Sequence, residues 1–172
     1  MALQSTIEIY IGGDQLKAFK EFRLEQRIDA HHHLEVVCRT DVLEDASGEL
    51  STETKNFLGE VLTLKVGSLD GISLYKELEF KGVVTSITST RGFQYQHGDV
   101  VVITAMSASV LTDDGPHHAS FSDTPLSGIV ERTFQDYDKS KVELSVSPGN
   151  TDALHYSVQS GESAFGYASR LA

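Results

Sequence analysis

The stretch Leu111–Asp123, LTDDGPHHASFSD, sets His117 and His118 among Asp113, Asp114 and Asp123. Upstream, DAHHHLEV (29–36) places His31, His32 and His33 between Asp29 and Glu35. Imidazole and carboxylate together are a common donor set for zinc and iron, so metal-dependent chemistry is the first function to weigh. A zinc site needs at least three N, O or S ligands converging at about 2 Å. On a strand His31 and His33 point to one side and His32 to the other, so this run supplies at most one His-x-His pair. A cupin pattern would need a Glu four or five positions after the second histidine, where Val37 and Cys38 stand. His117 and His118 point apart after Pro116, so at most one joins a shared site, and Asp113-Asp114-Gly115 before that proline is turn sequence. The spacing favours half-exposed strand and loop histidines at the polar boundary between a barrel and a helix. The metal alternative is a small metal-dependent β-barrel enzyme using His31, His33 and one of His117 or His118.

Other chemistry is thinner. The chain has no Gly-x-Ser-x-Gly, no phosphate loop and no Cys-x-x-Cys. Cys38 falls on a predicted buried face and reads as core. Tyr75, Phe80, Phe93 and Tyr95 lie in a β-region without a basic groove, which argues against a base-stacking platform. No catalytic, cofactor-binding or metal residue is assigned; the expectation is a non-enzyme without a cofactor, its partner-binding residues unknown.

The elements that must carry these residues are mostly strands. STIEIYI puts Ile7, Ile9 and Ile11 at period two before a Gly12-Gly13-Asp14 turn. In LKAFKEFRLEQRI the even positions Leu16, Ala18, Phe22, Leu24 and Ile28 form one apolar face. HHLEVVCR turns Leu34, Val36 and Cys38 inward. STETKNFLGE (51–60) reads as one or two helical turns, capped by Ser51 or Thr52 and ended by Gly59. VLTLKVG, LYKELEF, GVVTSITST and DVVVITAMSASVL continue the β pattern. That much β in about 110 residues implies a barrel or two packed sheets.

Past Leu111 the pattern becomes mixed. TPLSGIVERTF reads as a helix with Thr124 as N-cap and Pro125 at the first helical position. KVELSV and LHYSVQ read as short strands. SGESAFGYASRLA reads as a second helix, with Ser160 as N-cap, Glu162 in its first turn, and Phe165, Ala168 and Leu171 on one face. No Gly, Asn or Pro ends it, so the sequence reads as stopping inside an element. The expected domains are a first tube-like β-barrel at 1–112 and the opening of a second, incomplete barrel at 113–172.

Composition narrows the partners. The net charge of −11 argues against nucleic acid, whose phosphates draw on Lys and Arg clusters. Residues 41–80 hold nine acids against three lysines, a face for solubility or for steering a neighbour. A lone cysteine allows no internal disulfide. No run approaches the roughly 20 apolar residues of a membrane span, and the N-terminus lacks the pattern of a signal peptide.

One resemblance covers most of the chain and is most specific in its last 20 residues. Tyr156, Val158, Gln159, Glu162, Ser163, Phe165, Ser169, Arg170 and Leu171 resemble the Y-x-V-Q-x-x-E-S-D-F-x-F-x-S-R-L element of VgrG-type spike heads in type VI secretion and of contractile phage tail hubs. Ala164 replaces the usual Asp and Tyr167 the second aromatic. Thr124–Val130 resembles the family's T-x-x-D-I-V helix, with Gly128 for Asp and one residue more between it and the Thr, and NFLGEVLTLKV and FKGVVTSITS resemble two of its strands. The resemblance implies a mainly β, tube-like hub domain, more than twice this length in the whole protein. It implies a homotrimer of pseudo-sixfold ring form joining a hexameric, Hcp-like tube to a puncturing needle, with baseplate proteins and effectors as further partners. It also implies assembly in the cytoplasm and delivery outward without a signal peptide or membrane anchor. Under it, the acidic stretch with Glu44, Asp45 and Glu49 helps select the neighbour in the ring. The other reading outside enzymes is a monomeric carbohydrate- or protein-binding barrel.

Overall fold

A computed structural model describes residues 5–40, 56–68, 77–90 and 100–172. Two compact units divide the chain, Met1–Ser107 and Ala108–Ala172.

The first unit is one antiparallel sheet of seven strands. These are β1 (Ser5–Ile11), β2 (Asp14–Gln15), β3 (Glu21–Glu25), β4 (His33–Arg39), β5 (Val61–Ser68), β6 (Leu78–Thr90) and β7 (Val100–Ser107), in the order β2-β1-β5-β6-β7-β4-β3. β1 turns into β2 through Gly12 and Gly13, at φ 60° and 98°, the double positive φ that a two-residue hairpin needs. Most period-two residues are buried on one face as the sequence implies, but Ile7 is exposed. Ile9, Leu34, Val36, Cys38, Leu62, Leu64, Val101, Ile103 and Ala105 are fully buried in a single cluster with Ile11, Phe80 and Val84.

The sheet curls into a half-barrel, and chain length alone requires it. The amide of Leu16 continues the β2 side by donating to Ile9 O, and that of Lys20 begins the β3 side by donating to Val37 O. Four residue steps reach at most about 14 Å. A flat sheet would hold its outer strands about 29 Å apart across six gaps. Only a curled sheet lets this connector run from one edge to the other.

The connector also explains two departures from the sequence pattern. Residues 16–20 form no strand, so the alternation read across them resets: Phe19 packs on the core while Ala18 is exposed. Ile28, assigned to the same face, lies beyond β3 and is fully exposed. LYKELEF and GVVTSITST, read as separate strands, join from Leu78 onward into the thirteen-residue β6. A register shift between Val84 and Ser86 reverses the alternation, so that Val84 and Ile87 both face the core. Of the predicted turn at 51–60, Asn56 and Phe57 are helical, with Leu58 and Gly59 in the turn that follows; Ser51 and Thr52 lie outside the described residues.

The second unit is α+β. A 3-10 turn (Ala108–Thr112) leads to β8 (His117–Pro125), helix α1 (Leu126–Thr133), β9 (Ala153–Glu162) and helix α2 (Ala164–Leu171). β8 and β9 form a two-stranded antiparallel ribbon. Such a ribbon is marginal alone in water; here the helices supply Ile129 and Tyr167, both fully buried with Phe121. Three expectations need correction. Pro125, not Thr124, occupies the N-cap of α1, because the Thr124 hydroxyl instead donates to Ser122 O. Ser163, not Ser160, caps α2, because pairing with β8 carries β9 through to Glu162. KVELSV forms no strand, having no ladder partner among the described residues.

Candidate functional site

The junction of β9 and α2 holds a dense set of specific side-chain contacts, and it coincides with the sequence element of the resemblance. Ser163 Oγ accepts from the Gly166 amide at 3.0 Å and donates to Asp113 Oδ1 at 2.6 Å. One hydroxyl therefore caps α2 and ties it to the loop before β8. Arg170 reaches back from the last turn of α2. Its Nε and Nη2 grip both Glu162 oxygens at 3.0 and 2.9 Å, and Nη2 also donates to Val158 O at 2.9 Å. The guanidinium lies 5.2 Å from the Tyr167 ring centre. A planar two-pronged cation suits this combined grip and stacking. Arg170 holds the Glu162 carboxyl below its ordinary range, and Glu162 raises Arg170 in return.

Beneath this clasp the polar groups are satisfied. The Tyr167 and Ser157 hydroxyls meet at 2.7 Å in the interior, and Tyr167 stacks on Phe121 at 6.1 Å. Buried Gln159 donates through Nε2 to Glu162 O at 3.1 Å. Gln159, Glu162, Ser163, Tyr167 and Arg170 thus hold a strand–helix corner rigid. Tyr156 and Val158, also in the motif, face outward on β9 and are exposed. The expected face of α2 shifts by the same logic. Ala164 and Tyr167 are buried, and Phe165, Ala168 and Leu171 are partly covered.

The two histidine clusters have separate duties. His31 and His33 belong to the first unit, His117 and His118 to the second. His32 joins two segments of the sheet: its amide donates to Ser107 Oγ at 3.0 Å, its Nε2 to Arg27 O at 3.1 Å, and its carbonyl accepts from the Ser107 amide at 2.9 Å. His117 Nε2 donates to Asp114 Oδ1 at 3.0 Å, and the Tyr137 hydroxyl donates to the same oxygen. Tyr137 and, second, His117 hold the Asp114 carboxyl below its usual range. Burial and then Asp114 push the Tyr137 phenol up. Tyr137 carried no sequence signal, since it lies 23 residues beyond its partner. Asp113 and Asp114 were legible as a turn but not as the acceptors of Ser163 and Tyr137. Among the described residues no three His, Cys, Asp or Glu side chains gather as a metal site. Phe80 is core, Tyr75, Phe93 and Tyr95 lie outside the described residues, and so do Glu44, Asp45 and Glu49. Cys38 is buried, its thiol pushed up to about 11 by desolvation, which makes it a poor nucleophile.

The sequence matches the phage tail baseplate hub (GPD) family over residues 25–172, most of the chain. The chain belongs to that family. Solved structures agree on the fold of this hub chain. The tail protein of Neisseria meningitidis MC58 superposes with a TM-score of 0.65 at 11% identity, over 95% of this chain and 43% of that one. The c3393 protein of E. coli, described as a component of the type VI secretion system similar in structure to T4 bacteriophage tail proteins gp27 and gp5, gives 0.54 at 11% identity, over 99% and 40%. The hub chain spans about two fifths of each. No curated protein matches it in sequence. No helix among the described residues is long and apolar enough to cross a membrane.

Proposed function

We propose that this chain is part of a structural hub in a contractile injection machine, a phage tail or a type VI secretion apparatus, and works by assembly without catalysis. The observation that carries the reading is the hub-family match over residues 25–172 on a curled half-barrel. In this reading the chain contributes a first tube-like barrel at 1–112 and the opening of a second at 113–172. Three copies form a ring of six barrel-like parts, which matches a hexameric tube on one side and a needle on the other. Symmetric contacts of this kind need broad, rigid surfaces more than a pocket, and the clasp at Glu162, Ser163 and Arg170 supplies rigidity at the strand–helix corner. Baseplate proteins and effectors are further partners, and delivery outward follows assembly in the cytoplasm.

The direct test is to locate the chain in intact particles. Contractile particles purified from the source cells, labelled with gold-conjugated antibody against residues 100–172 and imaged by electron microscopy, should carry label at one end of the tube only. Label along the sheath, or none on any particle, would overturn the reading.

A further inference from the structure

Asp114, His117 and Tyr137 aim three donor atoms at one point. His117 Nε2 lies 3.0 Å from Asp114 Oδ1 and 3.4 Å from the Tyr137 hydroxyl oxygen, and that hydroxyl closes the triangle on the same Asp114 oxygen. Two ligands bonded to one metal ion at about 2.1 Å stand roughly 3.0 Å apart at a right angle and roughly 3.4 Å apart at the tetrahedral angle. Two edges of the triangle therefore have the size that a single transition ion needs. The third edge, a hydroxyl-to-carboxylate hydrogen bond, opens when an ion replaces its proton. Tyrosine completes the set, since no three His, Cys, Asp or Glu side chains gather as a metal site among the described residues.

Backbone contacts hold each donor in place. Asp113, beside Asp114, is tied to the Ser163 hydroxyl at 2.6 Å. His117 opens β8 and pairs with Glu162. Tyr137 follows α1; its amide donates to Phe134 O at 3.4 Å and its ring lies 5.8 Å from that of Phe134. Donors preset in this way lose little freedom when they bind an ion. Asp114 and His117 are each about half exposed, which leaves the remaining coordination positions open to water. Charge points the same way. The Glu162 carboxylate is answered by Arg170, whereas the side chains that act on Asp114 are the Tyr137 hydroxyl and the His117 imidazole. Asp136 adds a second negative charge against the phenol, and among the described residues no lysine or arginine acts on Asp114 or Tyr137. The oxygens of a phenolate and a carboxylate are hard, anionic donors that suit a hard cation of high charge, and imidazole is a common ligand of iron.

We propose that Asp114 Oδ1, His117 Nε2 and the Tyr137 oxygen form a binding site for ferric iron. On binding, the Tyr137 phenol releases its proton to water and becomes phenolate. The His117 proton passes through solvent from Nε2 to Nδ1, so the imidazole stays neutral. One proton leaves per iron bound and no electron is transferred. The ion fastens the segment after α1 to the start of β8. This inference goes beyond the hub reading and stands whether or not that reading holds.

The test uses the full-length protein, stripped with a chelator and titrated with ferric citrate at neutral pH. A phenolate-to-iron charge-transfer band should rise in the visible spectrum and saturate at one iron per polypeptide. Tyr137→Phe keeps the ring beside Phe134 and should abolish the band while the circular dichroism of the fold is unchanged. Asp114→Asn keeps an acceptor for the Tyr137 hydroxyl but loses the anionic ligand, and should weaken iron binding about tenfold or more. Zinc offered alone should bind more weakly than iron. No band in the native protein, a band that Tyr137→Phe leaves unchanged, or undiminished affinity in Asp114→Asn overturns the site; zinc binding as tight as iron overturns the choice of ferric iron.

Discussion

Asp114 shows how the polar residues that first suggest a metal site earn their positions. Its carboxylate accepts from the Tyr137 hydroxyl and from His117 Nε2, joining the loop before β8, β8 itself and the segment after α1. The two directions of shift give opposite pH limbs. A carboxyl held below its unfolded value contributes stability that is present above the ordinary carboxylate range and is lost as pH falls through the folded value. A phenol raised above its unfolded value contributes stability that is complete below about pH 10 and is lost as pH rises beyond it. Tyrosine ionisation followed by ultraviolet absorbance, as a difference between the native chain and Tyr137→Phe, should therefore show a phenol that titrates well above pH 10. In the same variant the alkaline loss of stability should be shallower. A Tyr137 titrating near pH 10 would mean that the Asp114 hydrogen bond does not persist in solution.

At the scale of elements, β6 and β7 approach so closely that side-chain size decides the packing. A Cβ on Gly82 would sit 2.4 Å from Met106 O and 2.6 Å from Phe80 Cζ. Phe80 is core and Met106 O is backbone, so neither can yield cheaply. Gly82→Ala should cost about 1–3 kcal/mol, the usual range for overpacking, read as a lower midpoint in urea. A change within about 0.5 kcal/mol, typical of an open surface site, would contradict that close approach. The inward period-two residues of β1, β4, β5 and β7 were legible in the sequence because each strand has one buried face. The phase reversal in β6 was hidden, because a register shift depends on the partner strand. The cap of α2 was hidden for a related reason. SGES offers two serines, and only the pairing of Glu162 with His117 in the ribbon selects Ser163. KVELSV shows the converse, a strand pattern with no ladder partner among the described residues.

For the whole molecule, charge and topology point the same way. A chain of net charge −11 repels its own copies at a distance, so the assembly proposed above would have to rest on short-range contacts. The five-residue connector between the outer strands requires the sheet of the first unit to be curved. The hub fold was legible as a resemblance in the final residues, from Tyr156 to Leu171. The described structure adds the reason for several of them: they lock a corner. The native mass of the polypeptide carrying this chain, measured from its source cells without denaturation, bears most directly on the hub reading. Three copies of a polypeptide several-fold heavier than 18.8 kDa are the expected result. A lone monomer of 18.8 kDa would contradict it.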